Sequence, residues 1–411
     1  MQAVDAPPLT AVARLASRAF RVTILAAGLL LAVVVLGNLV FGQKTTWAWG
    51  GIKCGDLVQH YGAGLLWSEG RIEELYRGFR FGSFLNTWTQ ELDPGAGPGR
   101  MERFNYVYAP LVAWTASAAT AWDYGTWVNA WLVLSLAAWI GAFLCLRAWV
   151  PNVFRLDFTT LVLYFGFPAF YWGLVPGQNT ALTLAIACSA LLLQARARPL
   201  AAGLVMGCAF YKPQLMPALF LFMACGGHAR FCAGLALGNL AWLGLGGLLC
   251  GVPAHHYWLE SLADMARGLQ FQKPGMNQSW SGLLPGIPLL GPVLALGIPV
   301  AAGCWMRGRL GPAPALACAL AAGLAAAPYL GYYELLLGVP WWWWTFRKHG
   351  GTSAAVLYYI LAWAAVAGLL LQQSITAPLL TLWLVLTLRR SARAPGPGGA
   401  SGGSPAAAAR P

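Results

Sequence analysis

Asp56 is the residue whose type and neighbours point most directly to chemistry. It stands at the start of residues 55–70, where apolar side chains recur with a helical period, and His60 follows four positions later on the same helical face. A carboxylate in a partly desolvated cleft can act as a general base, and Tyr61 adds a further polar group beside it. An aspartate at the start of a helix is also a common N-cap, so the residue alone leaves both interpretations open.

Lys212 is the second candidate because it interrupts the apolar stretch 200–222. An ammonium group at that depth in a membrane costs on the order of 2.5–3.5 kcal/mol, and a phosphate group is its natural partner. The alternative is a lysine whose long stem reaches the membrane surface from a broken helix.

Gln178 and Asn179 form the third candidate, since they follow Pro176-Gly177 in a turn between two apolar segments. Two amide side chains and the backbone donors of such a turn can hold sugar hydroxyls or phosphate oxygens. A turn without any binding role fits the same residues equally well.

Further polar side chains gather near the later apolar segments, among them Asn277, Tyr329 and Glu334. The adjacent residues His255 and His256 cannot face the same way on a helix, which disfavours a metal pair. The nine cysteines show no CxxC spacing, and no Walker loop, dinucleotide fingerprint or HExxH motif is present. The sequence therefore predicts no cofactor and no dedicated metal site, and it leaves metal dependence open.

The composition places these residues in a membrane protein. Of the 411 residues, 58% are hydrophobic and only 9% are charged, whereas soluble domains carry about 25% charged residues. The net charge of +13 is spread thinly between apolar runs, as in cytoplasmic loops, so we exclude a nucleic-acid partner. The apolar runs predict an all-α polytopic membrane protein with about 11–13 transmembrane helices. Frequent Gly, Ala and Arg are typical of a GC-rich bacterial genome. We predict a multi-pass protein of a bacterial inner membrane, surrounded by membrane lipids.

Charge bias predicts the orientation of the chain. Arginines before the first apolar run place the N-terminus in the cytoplasm, and that run is too long for the apolar core of a signal peptide. The two long polar loops then share the extracytoplasmic side, and the first carries an amphipathic helix lying in the interface plane. The predicted organisation is a cytoplasmic N-terminus (1–20), a transmembrane domain (21–393) with its first spanning helix at 21–41 and extracytoplasmic loops at 42–105 and 251–281, a cytoplasmic C-terminal end and a disordered tail (394–411).

Two topologies stay open between residues 106 and 230. If 106–121 crosses the membrane and 199–226 is one helix, several arginines lie outside, against the usual bias. If 106–121 only dips into the membrane and Lys212-Pro213 breaks 199–226 into a re-entrant pair, those arginines lie inside. Charge bias favours the second topology.

A run of four tryptophans, residues 341–344, stands just before Arg347 and Lys348. Tryptophan is enriched where transmembrane helices meet the membrane surface. The run is therefore predicted to be an interfacial belt.

Five short motifs follow one another along the chain. They are G-D-x-x-x-x-Y (55–61), F-N-Y-x-Y-x-P-L (104–111), P-G-Q-N (176–179), A-G-L-x-x-G-x-x-x-x-K-P (202–213) and A-P-Y-L-x-Y-Y-E (327–334). In this order they resemble the pattern of glycosyltransferase family 87, a family of polytopic enzymes of the GT-C type, over about residues 20–390.

The resemblance implies a GT-C-like helical bundle that takes a hexose, typically mannose, from a polyprenyl-phosphate sugar donor. The acceptor would be a glycan or glycolipid at the extracytoplasmic face. By the same carry-over Asp56 is the catalytic base of a single displacement with inversion. The family's actinobacterial mannosyltransferases tend to carry a His-His pair where this chain has Tyr332-Tyr333, which leaves the sugar and the acceptor open. The residues assigned to donor or acceptor binding are His60, Tyr61, Tyr106, Gln178, Asn179, Lys212, Asn277, Tyr329 and Glu334.

A transporter or flippase of lipid-linked glycans is the alternative from another class, and Lys212 is the feature that favours it. Transporters usually show internal repeats, and the sequence has no convincing one. A non-catalytic scaffold in envelope-glycan assembly is a third, weaker hypothesis.

Overall fold

The computed structural model describes residues 22, 26, 29–30, 33–37, 45–46, 52–92, 106–151, 158–268, 277, 279–283, 287, 289–327, 329–349 and 376–393. In these residues the regular structure is helical, apart from one isolated bridge between Thr46 and Ile52, as the all-helical prediction requires. The described parts of the predicted first spanning helix are helical and mostly exposed. The predicted cytoplasmic N-terminus and the predicted C-terminal tail lie outside the described residues.

Helices follow one another along the described chain, and short 3-10 segments join some of them. They are α1 (Leu57–Ser68), α2 (Ile72–Tyr76), α3 (Gly78–Leu92), α4 (Pro110–Ala119), α5 (Tyr124–Trp149), α6 (Phe158–Phe165), α7 (Pro168–Leu174), α8 (Thr180–Ala195), α9 (Pro199–Gly207), α10 (Met216–Cys225), α11 (Ala229–Cys250), α12 (Val252–Gly268), α13 (Trp280–Leu283), α14 (Leu290–Met306), α15 (Pro312–Ala326), α16 (Val339–His349) and α17 (Thr376–Arg393). The 3-10 segments are Cys208–Tyr211, Pro213–Leu215 and Tyr332–Gly338.

The chain forms two compact units. The first comprises Met1–Cys188, Ala241–Leu269 and Tyr332–Leu336, and the second comprises Ser189–Leu240, Gln270–Gly331 and Leu337–Pro411. The first unit contains Asp56 and most of the predicted site residues, whereas the second contains Lys212.

Helix α1, which begins just after Asp56, is buried by protein on two sides. Nine of its twelve residues are buried. A Cβ on Gly62 would lie 2.6 Å from Leu85 of α3, and one on Gly64 would lie 2.7 Å from the backbone of Ala116 in α4. Residues two apart on a helix point in nearly opposite directions, so these two glycines let α3 and α4 approach from both sides. The helix was predicted to be amphipathic and to lie in the interface plane; the structure shows a helix packed inside the unit instead.

The two long polar loops predicted to share one side of the membrane contact each other. Helix α12, from the second loop, packs against α2, from the first. Just after the first loop, Val107 O accepts a hydrogen bond from the indole of Trp258 at 2.9 Å, and Tyr106 O accepts one from the hydroxyl of Ser261 at 3.0 Å. The side of the membrane on which the two loops lie stays a prediction.

In the second unit, the run 199–226 is broken at Lys212-Pro213. Helix α9 ends at Gly207, two 3-10 segments follow, and α10 begins at Met216. Lys212 takes φ −112° and ψ 71°, which lies outside the helical region that a following proline disfavours. The break that the second topology requires is therefore present.

The tryptophan run 341–344 was predicted to be an interfacial belt, and the structure makes this wrong. Trp341, Trp342 and Trp343 are all buried, and the indole of Trp341 donates to the hydroxyl of Thr387 at 3.1 Å. Consecutive residues point to different sides of a helix, and α15 and α17 pack against α16, so most of these rings meet protein.

Among the described residues, two helices are long and apolar enough to cross a membrane, α5 and α11. Six shorter apolar segments of 10–17 residues accompany them. Helix α4 has ten residues and rises only about 15 Å, half of a bilayer core. That length fits the topology in which 106–121 only dips in, while the number of spans stays a prediction.

Candidate active site

Two turns, distant in sequence, interlock around Asp56. Gly177 has a φ of +84°, and a Cβ there would lie 2.7 Å from the Cβ of Cys54. The backbone N–H of Asp56 donates to Pro176 O at 2.8 Å. From α5, the hydroxyl of Tyr124 donates to the carbonyl of Cys54 at 3.1 Å. Backbone contacts between these two distant turns therefore fix the position of Asp56.

The carboxylate of Asp56 is held by Gln178. Although Asp56 occupies the N-cap position of α1, its side chain makes no capping hydrogen bond, so the capping interpretation is wrong. The Gln178 amide donates from Nε2 to Oδ2 of Asp56 at 2.5 Å. Burial raises the pKa of the Asp56 carboxyl above its usual range, and the hydrogen bond from Gln178 opposes that rise by favouring the charged form.

His60, Tyr106 and Tyr108 form an aromatic wall one helical turn from Asp56. Nδ1 of His60 lies 3.2 Å from the hydroxyl of Tyr106, which is fully buried. The rings of His60 and Tyr108 meet edge to face with centroids 4.4 Å apart. Nδ2 of Asn179 donates to the hydroxyl of Tyr108 at 3.5 Å, which joins the P-G-Q-N turn to this wall.

Tyr61, the residue after His60, packs against tryptophan residues. Its hydroxyl donates to Trp122 O at 2.7 Å, and its ring stacks on Trp88 at 5.1 Å. These contacts give Tyr61 a structural role in the described residues, and its predicted role in substrate binding stays a prediction.

Glu334 belongs to the first unit, in the 3-10 segment Tyr332–Gly338, and is buried. Tyr332, two residues before it, contacts Trp172 edge to face at 6.0 Å. A Cβ on Gly173 would lie 3.4 Å from the Cβ of Tyr333 and 3.9 Å from the Cβ of Gln178, so the late A-P-Y-L-x-Y-Y-E motif lies close to the residue that holds Asp56.

Three predicted site residues lie in the second unit. Lys212 is buried at the break between α9 and α10. Asn277 is buried and its Oδ1 accepts from the backbone N–H groups of Ser279 at 3.1 Å and Leu330 at 3.2 Å, next to the half-buried Tyr329. Asn277 thus fixes the local chain path, and the binding roles of these three residues stay predictions.

Sequence reasoning missed Tyr108 and Cys54. Tyr108 stands two residues after Tyr106 in the same motif, and the repeated tyrosine was the available signal. Cys54 packs against Gly177, and burial raises the pKa of its thiol to about 12, so it is a neutral packing group. Across the described residues no three His, Cys, Asp or Glu side chains are grouped as a metal ion would require.

In this strongly apolar helical chain, amide and aromatic side chains lie around the Asp56 carboxylate. The family model described as Glycosyltransferase family 87 matches residues 106–337, more than half of the chain, and the chain belongs to that family. It is therefore a glycosyltransferase, and the resemblance drawn from the five motifs is confirmed. No curated protein and no solved structure shows a significant match. Gln178 lies inside the matched range, and Asp56 lies before it.

Proposed function

We propose that this glycosyltransferase moves a hexose, typically mannose in the family, from a polyprenyl-phosphate donor to a glycan or glycolipid acceptor. The reaction takes place at the extracytoplasmic face of a bacterial inner membrane, with Asp56 as the catalytic base. Membrane lipids surround the enzyme and hold the polyprenyl chain of the donor, which is why the enzyme needs apolar helices.

The hydrogen bond from Gln178 to Asp56 carries this proposal. It joins a residue of the family-matched range to a carboxylate that precedes that range. The described residues make no other side-chain hydrogen bond to the carboxylate, so Oδ1 is left for a substrate hydroxyl. The raised pKa makes the carboxylate a stronger base than an ordinary aspartate.

In the proposed reaction Asp56 takes the proton of an acceptor hydroxyl through Oδ1. The acceptor oxygen forms a bond to the anomeric carbon while the bond from that carbon to the phosphate oxygen breaks. The phosphate leaves with the electron pair on the opposite face, so the anomeric configuration inverts. Lys212 is proposed to stabilise the leaving lipid phosphate because a buried ammonium group favours an anionic partner.

The substitution Asp56→Asn tests the proposal. Without a base, we expect transfer of radiolabelled hexose from a short-chain polyprenyl-phosphate mannose to membrane acceptors to fall about 10²–10⁴-fold. Asp123→Asn is the matched control, because Asp123 is exposed and its side chain caps α5, a role that asparagine can keep.

Equal transfer by the Asp56→Asn variant and the wild type would remove Asp56 as the base. Movement of a lipid-linked glycan across vesicles by a wild-type protein that transfers no sugar would favour the transporter alternative.

A further inference from the structure

Three side-chain contacts, the peptide bond between Gln178 and Asn179 and one turn of α1 join one carboxylate, two amides and two aromatic side chains into a ring around Asp56. Asp56 bonds to Gln178, and Asn179, the next residue, bonds to Tyr108. Tyr108 packs on His60, which returns to Asp56 along one turn of α1. One turn is about 5.4 Å, comparable with the width of one hexose ring.

One polar atom in this ring lacks a partner. Asn179 is 5% exposed, and its Oδ1 is buried and accepts no hydrogen bond from the described residues. The other atom of the same amide, Nδ2, bonds to the hydroxyl of Tyr108, so Oδ1 belongs to the ring. A buried acceptor without a donor is costly, and a hydroxyl group of a ligand would satisfy it.

The ring suits a neutral sugar and disfavours a phosphate. Its charged member is the Asp56 carboxylate, which repels a phosphate group. Asp56, Gln178 and Tyr108 are half-buried, and the His60 and Asn179 side chains are buried. Aromatic faces with a few fixed polar groups are typical of small-molecule sites.

We infer that the ring of Asp56, His60, Tyr108, Gln178 and Asn179 binds the terminal sugar of the acceptor. Oδ1 of Asn179 accepts a hydrogen bond from a hydroxyl next to the one that reacts. This inference rests on the proposed function, since it places the acceptor rather than the donor beside Asp56, the proposed base. The donor phosphate must leave on the face opposite the attacking oxygen, which places it away from Asp56.

The test measures glycoside binding to the purified full-length protein in lipid nanodiscs by calorimetry, without any donor. The probes are octyl α-D-mannopyranoside, octyl β-D-glucopyranoside and octyl β-D-galactopyranoside, with the monodeoxy analogues of whichever binds. We expect Asn179→Leu and Tyr108→Ala each to weaken binding by about tenfold or more. The matched controls Asn239→Leu and Tyr257→Ala should bind as the wild type does.

A double comparison keeps the test independent of variant folding. One monodeoxy analogue should bind the wild type about tenfold more weakly than the parent glycoside does. The Asn179→Leu variant should bind this analogue and the parent glycoside with equal affinity. The inference is overturned if no glycoside binds the wild type. It is also overturned if every analogue loses the same affinity, relative to the parent glycoside, in the wild type and in Asn179→Leu.

Kinetics separate the inference from the proposed function. If glycoside binding depends on Asn179 but the wild type transfers no hexose, the acceptor site is supported and the proposed reaction is contradicted. If the enzyme transfers hexose but Asn179→Leu raises only the KM of the donor, the proposed reaction stands and the acceptor site is overturned.

Discussion

Gly177→Ala separates the two turns that position the candidate base. Alanine at a φ of +84° is strained, and its Cβ would lie 2.7 Å from the Cβ of Cys54, against an ordinary contact of at least 3.4 Å. The turns must then part by about 0.7 Å. That movement strains the backbone hydrogen bond from Asp56 to Pro176 and the side-chain bond from Gln178.

The magnitude follows from these contacts. A left-handed conformation costs alanine about 1–2 kcal/mol. A neutral hydrogen bond contributes about 0.5–1.5 kcal/mol and one to a charged group about 1.5–3 kcal/mol. Since Asp56 is only half-buried, we take the lower values and expect a loss of about 3 kcal/mol in the free energy of unfolding. Displacement of a base by somewhat less than 1 Å should lower transfer on the order of 10–100-fold.

Gly70→Ala is the matched control. Gly70 also has a positive φ, +74°, but no atom lies within 4 Å of a Cβ placed there. We expect this variant to lose about 1–2 kcal/mol from strain alone and to keep its transfer rate. Both variants are measured by thermal unfolding followed by tryptophan fluorescence and by hexose transfer at saturating substrate. Equal transfer rates in the two variants would refute the idea that the interlocked turns position Asp56.

Three further outcomes are expected. Gln178→Leu removes a donor to the charged carboxylate, so the pKa of Asp56 rises further and the acid limb of the pH–rate profile moves to higher pH; an unmoved limb contradicts this. Lys212→Met should raise the KM of the donor about tenfold or more and leave that of the acceptor unchanged; equal effects on both would count against phosphate binding. Ser68→Cys, at an exposed position, should react with an impermeant maleimide in intact spheroplasts, and labelling only after lysis would place Asp56 inside the cell.

Local sequence patterns predicted the parts of the fold that depend on backbone chemistry. Proline after Lys212 breaks the helix because it removes a backbone donor and restricts the preceding residue. The Pro-Gly pair produced the turn before Gln178, with glycine in the left-handed conformation. Asp56 was singled out because it begins a segment of helical period with His60 four positions later, and its role as the base stays a prediction.

Contacts between distant segments could not be predicted from local patterns. Apolar residues on one side of α1 suggested an interfacial helix, but Gly62 and Gly64 allow two helices to cover it. Burial of Trp341 in the second unit depends on its neighbours in space. The bond between Gln178 and Asp56 joins residues 122 apart, and no spacing rule indicates it.

That bond also has a consequence for biosynthesis. The ribosome delivers the aspartate early, long before the glutamine emerges, so a nascent chain inserted up to its first few helices carries the acid without its amide partner. Catalytic competence should therefore begin only when translation passes the second turn, and a translationally arrested fragment ending before it should be inert.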